Sequence, residues 1–307
     1  MIPTLRISII TPSFNQAPFL EEALWSVKRQ GYPLIEHIIM DGGSTDGSVE
    51  ILKRYSSRPG WEHLRWRSEP DNGQSDALNK GFRLASGDVI GWLNSDDRYR
   101  AGCFTNVMNG FELYPATDVI YGDLTFIDED GAVWSIRREI EFSHFMLLYL
   151  HMLYVPSTSS FFRRRIFDEG NWIDTNLHLA MDYEFILRLS SKGYKFHHIS
   201  ELLADFRFHP QSKSGIHTDK QREEHNAIGI SYSSLLKNMR DGLLRKCLWT
   251  GLRALARGLR YSEKLYRGYY LEQFTPKLLS VLGIRRSGNR EGSHDGLTSP
   301  DFQKPSQ

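Results

Sequence analysis

Asp96 and Asp97 stand side by side in the stretch Asn94-Ser95-Asp96-Asp97, directly after the apolar run Val89-Ile90-Gly91-Trp92-Leu93. Such a run reads as a buried strand, which puts both carboxylates at a strand end. Adjacent carboxylates repel unless a cation sits beside or between them. Hard oxygen ligands suit Mg²⁺ or Mn²⁺, and Mg²⁺ is commonly held by one or two carboxylates together with substrate phosphates. A nucleotide diphosphate is therefore a natural ligand for this stretch. Taken alone, the pair reads more simply as a solvated acidic turn; the surrounding chain reverses that.

Other candidates fall at similar places. Thr11-Pro12-Ser13-Phe14-Asn15 follows the first apolar run, and its small hydroxyls and fixed proline φ suit a loop that approaches a ligand closely, or a plain strand-to-helix turn. Asp41 precedes two glycines, where its carboxylate can accept from a base N–H or a ribose hydroxyl, or cap the next helix. Between Asp71 and Gly81, helical spacing makes Asp76, Asn79 and Lys80 neighbours that line a pocket or form a solvated face. Asp182 shares a helical face with Phe185, Ile186 and Leu189. A carboxylate on an apolar face is costly unless paired or functional, which makes Asp182 the candidate general base, with a structural capping aspartate as the plain alternative. Glu184 falls on another face, expected toward solvent and paired with Arg188. His209, beside Arg207, is a candidate metal or phosphate ligand or a structural histidine.

The elements that must position these residues alternate strand and helix. Strands are expected at 5–11, 37–40, 63–67 and 89–93, and helices at 18–30, from Ser44-Thr45-Asp46 through Tyr55, and at 74–85. This alternation argues an α/β fold with a parallel sheet covered on both faces. Ligands of such sheets bind outside the carboxyl ends of the strands, so Thr11, Asp41 and Asp97 should converge on one rim. Beyond Asp97 the pattern is mixed. Helices are expected at 100–114 and 181–191, and strands within 117–138, at 157–162, 195–199 and 203–208. The apolar stretch 142–155, broken by His144 and His151, reads as core or as the floor of a cleft.

The 307 residues suffice for one large domain or two small ones, and a net charge of +1 names no partner. The charge is unevenly placed, because residues 235–290 hold 13 Lys/Arg and 3 Asp/Glu, a net of +10 that leaves −9 for the rest. Two distant cysteines, Cys103 and Cys247, imply neither a disulfide framework nor a Cys-rich zinc site. No apolar run reaches the ~20 residues needed to span a bilayer, and no signal peptide is expected. A cytoplasmic protein, or one peripheral on the inner face of the membrane, follows as the expectation. From about 219 to 282 the chain reads as helical, with Leu244, Leu248, Leu252, Leu255 and Leu259 separated by Arg245, Lys246, Arg253, Arg257 and Arg260. This pattern fits an anionic membrane surface, a packed subdomain or a dimer contact, with the membrane slightly favoured. Nucleic acid is not expected, since no recognised binding module accompanies the charge.

Together, Ile10 to Asn15, Asp41-Gly42-Gly43-Ser44-Thr45-Asp46-Gly47, Asp71-Asn72-Gly73 through Asn79-Lys80-Gly81, and Leu93-Asn94-Ser95-Asp96-Asp97 resemble family 2 glycosyltransferases of the GT-A fold, bacterial polysaccharide or lipopolysaccharide type. The resemblance covers roughly residues 5–210. It implies inverting transfer from a nucleotide-diphosphate sugar to a saccharide or lipid-linked saccharide acceptor. It places Thr11, Pro12, Asp41, Asp76, Lys80 and Asp96 around the donor. Asp96, Asp97 and His209 would serve Mn²⁺ or Mg²⁺, with Asp97 the direct ligand, and Asp182 would be the catalytic base. Met181-Asp182 stands where many members carry Glu-Asp or Asp-Asp. The implied organisation is a GT-A domain at 1–215, with a Rossmann-like nucleotide-sugar half at 1–98 and an acceptor half with mixed sheet at 99–215. A basic helical extension at 216–284 and a disordered tail at 285–307 follow. Competing readings are a non-catalytic nucleotide-sugar-binding scaffold of the same fold and a nucleotidyltransferase. The intact acidic residues oppose the first, and the absence of a Gly-rich basic loop after the first strand opposes the second.

Overall fold

The computed structural model describes residues 5–210, 212 and 218–269. The chain falls into a large compact unit, Met1–Lys264, and a short one, Leu265–Gln307. The expected tail at 285–307 and the end of the helical extension lie outside the described residues.

The first half follows its hydrophobic pattern closely. Strand β1 (Ile7–Ser13) is buried along its whole length, as a central strand covered on both faces should be. Helix α1 (Ala17–Lys28) buries Leu20, Ala23, Leu24 and Val27. It is followed by β2 (Ile35–Asp41), α2 (Ser48–Ser56), β3 (Leu64–Ser68), α3 (Gln74–Leu84) and β4 (Val89–Trp92). β1, β2, β3 and β4 pair in parallel. The Asp46 carboxylate accepts from Ala17 N at 2.8 Å and from Ser48 N at 3.1 Å, so one side chain satisfies orphan donors at the starts of both α1 and α2. α3 crosses β1 through Gly81, where any Cβ would collide with Ile10.

The second half builds a mixed extension of the same sheet. It comprises β5 (Arg98–Tyr99), α4 (Cys103–Leu113), β6 (Val119–Ile127), β7 (Val133–Arg137), α5 (His144–Leu150), β8 (Ser160–Arg163), α6 (Arg165–Asp168), α7 (Met181–Ser191) and β9 (Phe196–Arg207). The strand order is β3-β2-β1-β4-β8-β6-β9-β5, with β7 also on β6. β8 runs antiparallel to β4 and β6, β9 parallel to β6, and β5 antiparallel to β9. One core, with Ile7, Ile9, Phe104, Val107, Phe111, Ile120 and Phe161, lies between sheet and helices; a second joins Leu20, Leu24, Ile39, Leu52, Tyr55 and Trp61.

Several expectations change. The two strands expected at 195–199 and 203–208 are one, β9, which absorbs its irregular middle as a register shift against Gly122 and Asp123 of β6. The apolar stretch at 142–155 holds α5, whose Met146–Leu150 are all buried, so it is core. Glu184 does pair with Arg188, at 2.8 Å, but it is buried under Tyr232, whose hydroxyl donates to it. The helical extension is two helices, α8 (Thr218–Tyr232) and α9 (Leu243–Tyr266). No helix among the described residues is long and apolar enough to cross a membrane.

Candidate active site

A cleft of about 790 Å³ opens at the carboxyl ends of β1, β2 and β4. Its size is that of a ligand pocket. Pro12 to Gln16, Gly42, Pro70, Asp71 and Gly73 form one side; Trp92, Asn94, Ser95 and Asp96 lie at the end of β4; His178, Leu179, Met181 and Asp182 supply another wall. Phe206 of β9 and Gln221 of α8 also reach it.

The loops after β1 and β2 hold each other. Asn15, at φ 52°, donates its N–H to Ser44 Oγ at 2.8 Å and accepts from Thr45 N at 2.9 Å. Asp41 is 2% exposed and accepts from Gly43 N, Ser44 N and Ser68 Oγ at 3.1, 2.9 and 2.7 Å. Its carboxylate shapes the loop and does not line the cleft. Thr11 is buried behind Pro12, with its hydroxyl 2.9 Å from His37 Nε2. Burial holds the His37 imidazole far below its ordinary pKa, at about 3, so this pair is neutral. Gly42 faces the cleft closely enough that a Cβ would stand 2.7 Å from Asp71 Oδ2.

Asp76 and Lys80 lie one layer behind the cleft wall. Asp76 accepts from Asn72 N at 3.1 Å and pairs with Lys80 at 3.2 Å, while Lys80 also reaches Glu69 at 3.3 Å. Together they fasten the loop that presents Pro70, Asp71 and Gly73. Asn79 is turned fully inward, exchanging both amide hydrogen bonds with the backbone of Ile173, so that helical face is not solvated.

The acidic pair divides its roles. Asp97 is 2% exposed and points into the protein: Oδ1 accepts from Arg207 N at 2.9 Å, and Oδ2 from Thr158 Oγ1 at 2.8 Å and Asn94 Nδ2 at 3.2 Å. Burial, with Asp96 beside it, pushes its carboxyl well above the ordinary range. Asp96 is the member that lines the cleft, and its Oδ2 lies 3.1 Å from His209 Nε2. The segment is a turn closed by Asp97 N–H donating to the Asn94 carbonyl at 3.1 Å, and it presents Asn94, Ser95 and Asp96 to the cleft while Asp97 is held inward. Asp97, expected as the direct metal ligand, is thus the buried member, and Asp96 is the one at the cleft. Among the described residues no group of three or more His, Cys, Asp or Glu forms a ready-made metal cage.

Asp182 stands at the N-terminus of α7 and lines the cleft; its Oδ1 accepts from Tyr183 N at 2.8 Å. Burial raises its pKa, and the nearby His225 partly offsets that. His225 donates Nδ1–H to the His151 carbonyl at 3.1 Å, while its buried Nε2 has no hydrogen-bond partner among the described residues. Glu224 of α8 accepts from Leu179 N and Ala180 N at 3.2 and 3.0 Å, fixing the turn that delivers Asp182.

Of the residues singled out in the sequence, Pro12, Asp96 and Asp182 line the cleft, His209 touches Asp96, and Thr11, Asp41, Asp76, Lys80 and Asp97 stand behind it. Phe206, His178 and Gln221 are not singled out by the sequence, although Phe206 directly precedes Arg207 and His178 lies just before Met181-Asp182. Trp92 could have been noted from its place beside Asn94, whose Oδ1 accepts from both Trp92 Nε1 and Gln74 Nε2 at 2.8 and 2.9 Å.

Residues 8–170 match the family model of glycosyl transferase family 2. An uncharacterized glycosyltransferase of Mycobacterium tuberculosis is 34% identical over 184 residues, 59% of this chain and 68% of the relative. Among solved structures, Staphylococcus aureus TarS in complex with UDP-GlcNAc superposes with a TM-score of 0.61 at 16% identity, covering 91% of this chain and 80% of the other. The mannosyltransferase PcManGT of Pyrobaculum calidifontis, in complex with GDP-Man and Mn²⁺, gives 0.55 at 16% identity, covering 91% and 84%. At these identities the two structures speak for the fold, which is GT-A.

Proposed function

The chain belongs to glycosyl transferase family 2 and is a glycosyltransferase, and on that premise we propose that it moves a sugar from a nucleotide-diphosphate donor to an acceptor hydroxyl in one inverting displacement. The observation that carries this reading is that Asp96 and Asp182 line one cleft at the carboxyl rim of the parallel strands. The UDP-GlcNAc and GDP-Man seen in the two structural neighbours support a nucleotide-sugar donor.

In this reading the β1, β2 and β3 loops, shaped by Thr11, Asp41, Asp76 and Lys80 from behind, hold the nucleoside against Pro12 and Asp71. Asp182 takes the proton of the acceptor hydroxyl, which is too weak an acid to attack unaided. Burial has already raised the basicity of this carboxylate. The cleft is lined by Asp71, Asp96 and Asp182 and, among its described lining residues, by no Lys or Arg. A diphosphate needs a cation there, and Asp96 with His209 would hold Mg²⁺ or Mn²⁺. When bound, the metal offsets the charge gained by the leaving diphosphate.

We assign the acceptor to the saccharides or lipid-linked saccharides of cell-surface polysaccharide assembly. α9 supports this, since Leu244 and Leu255 are 74% and 55% exposed, as a helix lying on an anionic membrane would have them. Its cations are not all available. Arg260 donates to Glu139 at 3.0 Å and Lys264 to the Arg138 carbonyl, whereas Lys246 and Arg257 are exposed.

The test is hydrolysis and binding of a panel of UDP- and GDP-sugars by the full chain with Mn²⁺, with Mg²⁺ and with EDTA. Selection of one donor with metal present is expected. No turnover and no binding by the folded protein would overturn the nucleotide-sugar reading.

A further inference from the structure

Four aromatic rings run from the cleft to the outer edge of the sheet. Phe206 lines the cleft, and its β6 partner in register is Phe126. Phe206 and Phe208 have centroids 5.2 Å apart, Phe126 and Phe208 5.3 Å, and Phe208 and Trp134 5.6 Å. Trp134 of β7 stacks on Phe126 at 5.2 Å with an 18° interplanar angle. The three phenylalanines are half-buried, but Trp134 is 58% exposed. A tryptophan left in water beside three other rings is an unusual use of apolar surface.

From this geometry we propose that Phe206, Phe208, Phe126 and Trp134 form a platform for pyranose rings of the acceptor glycan, beyond the sugar that bears the reacting hydroxyl. The proposal rests on the glycosyltransferase reading above. A pyranose has one face of C–H bonds with slight positive charge, and its hydroxyls project sideways into water. The face of an aromatic ring is negative, so flat stacking satisfies both partners without burying a hydroxyl. Continuity with the cleft through Phe206 selects a ligand that also reaches the cleft. The hairpin tip beside the platform, Asp128-Glu129-Asp130, is exposed and acidic, which opposes an anionic bilayer on this face.

The platform is also held still. Arg207 donates to the carbonyls of Asp128 and Glu129 at 3.1 and 2.8 Å, and Arg98 to that of Gly131 at 3.1 Å. The hairpin that carries Trp134 is thereby fixed before any ligand arrives, so little ordering is needed on binding.

The experiment uses the full chain, with β-linked and α-linked gluco-oligosaccharides and chito-oligosaccharides of two to six units as probes. Binding is followed by ligand-observed NMR in wild type, Trp134→Ala and Trp134→Phe, alongside metal-dependent donor hydrolysis without acceptor. Affinity for at least one series should rise with length, fall about tenfold in Trp134→Ala and return largely in Trp134→Phe, with donor hydrolysis unchanged. Equal binding by wild type and Trp134→Ala overturns the platform, as does no oligosaccharide binding by a wild type that hydrolyses donor. Self-association that Trp134→Ala abolishes, without saccharide binding, assigns the rings to a second copy of the chain and also overturns it. Length-dependent binding that persists when no donor is hydrolysed keeps the platform and removes the transferase reading instead.

Discussion

The backbone N–H of Arg207 donates to Asp97 Oδ1 at 2.9 Å, and the Arg207 side chain donates to the Asp96 carbonyl at 2.8 Å. One residue of β9 thus fixes the backbone and the inner carboxylate of the acidic pair. Its guanidinium continues to Asp128 and Glu129 and pairs with Glu22 of α1. It also lies 5.0 Å over the ring of Phe19. Arg207→Ala should lower stability by about 2–3 kcal/mol, since a buried guanidinium that donates to the Asp96, Asp128 and Glu129 carbonyls and pairs with Glu22 is lost. Arg207→Lys should recover only part of that, because an ammonium cannot span the same fork of acceptors. Chemical denaturation measures both; a loss below about 0.5 kcal/mol in the alanine variant, the scale of an ordinary surface change, would contradict this account.

Asp96 and Asp97 should separate experimentally. Asp96→Ala is expected to abolish metal-stimulated donor binding with little change in melting temperature. Asp97→Ala strands three donors and should cost about 1–3 kcal/mol of stability, with loss of activity following from the distorted turn. Titration of Mn²⁺ in the presence of donor, beside thermal denaturation, distinguishes them. If Asp97→Ala keeps full stability and loses only metal binding, the inward role of that residue is wrong.

Asp182→Asn should retain donor binding and lose transfer by at least ~100-fold. The same variant should melt higher at neutral pH. Burial raises the Asp182 pKa, so the folded chain binds this proton more tightly than the unfolded chain. Its favourable contribution is fully present below the unfolded pKa and disappears as pH rises through the folded one. At neutral pH the ionised carboxylate therefore opposes folding, and removing it stabilises. The stability gap should narrow as pH falls toward the ordinary carboxylate range, and the acid limb of the wild-type rate should lie above that range. A variant that melts lower than wild type at every pH is the outcome against this.

Vesicles test α9. Sedimentation with phosphatidylserine-containing vesicles should exceed that with neutral ones, weaken in high salt and fail in the double variant Leu244→Glu, Leu255→Glu. Equal recovery of the double variant and wild type would remove the membrane reading and leave donor hydrolysis untouched.

The sheet's parallel half was legible because its elements are local, and each motif sits at a strand end that periodicity locates. Less legible were features that depend on a distant partner. Glu184 is buried by Tyr232, from a helix 48 residues on. α5 carries no helical periodicity because Met146–Leu150 are buried all round. Which of Asp96 and Asp97 faces the cleft depends on the distant Arg207 and Thr158, and no sequence pattern links either to the acidic pair. The aromatic strip is scattered over β6, β7 and β9 and exists only through their register.

β9 lies between β6 and β5 and is the last strand in chain order among the described residues. Asp97 and Arg207 are 110 residues apart. At ribosomal speed, roughly 5–20 s pass after Asp97 is synthesised before its partner exists. Over that interval the βα units of the first half can form from local contacts, while Asp97 Oδ1 still lacks its Arg207 donor. On the proposed nucleotide-sugar reading, donor binding is therefore expected only of the finished domain, and a nascent chain stopped before β9 should bind no nucleotide sugar even with its first four strands paired.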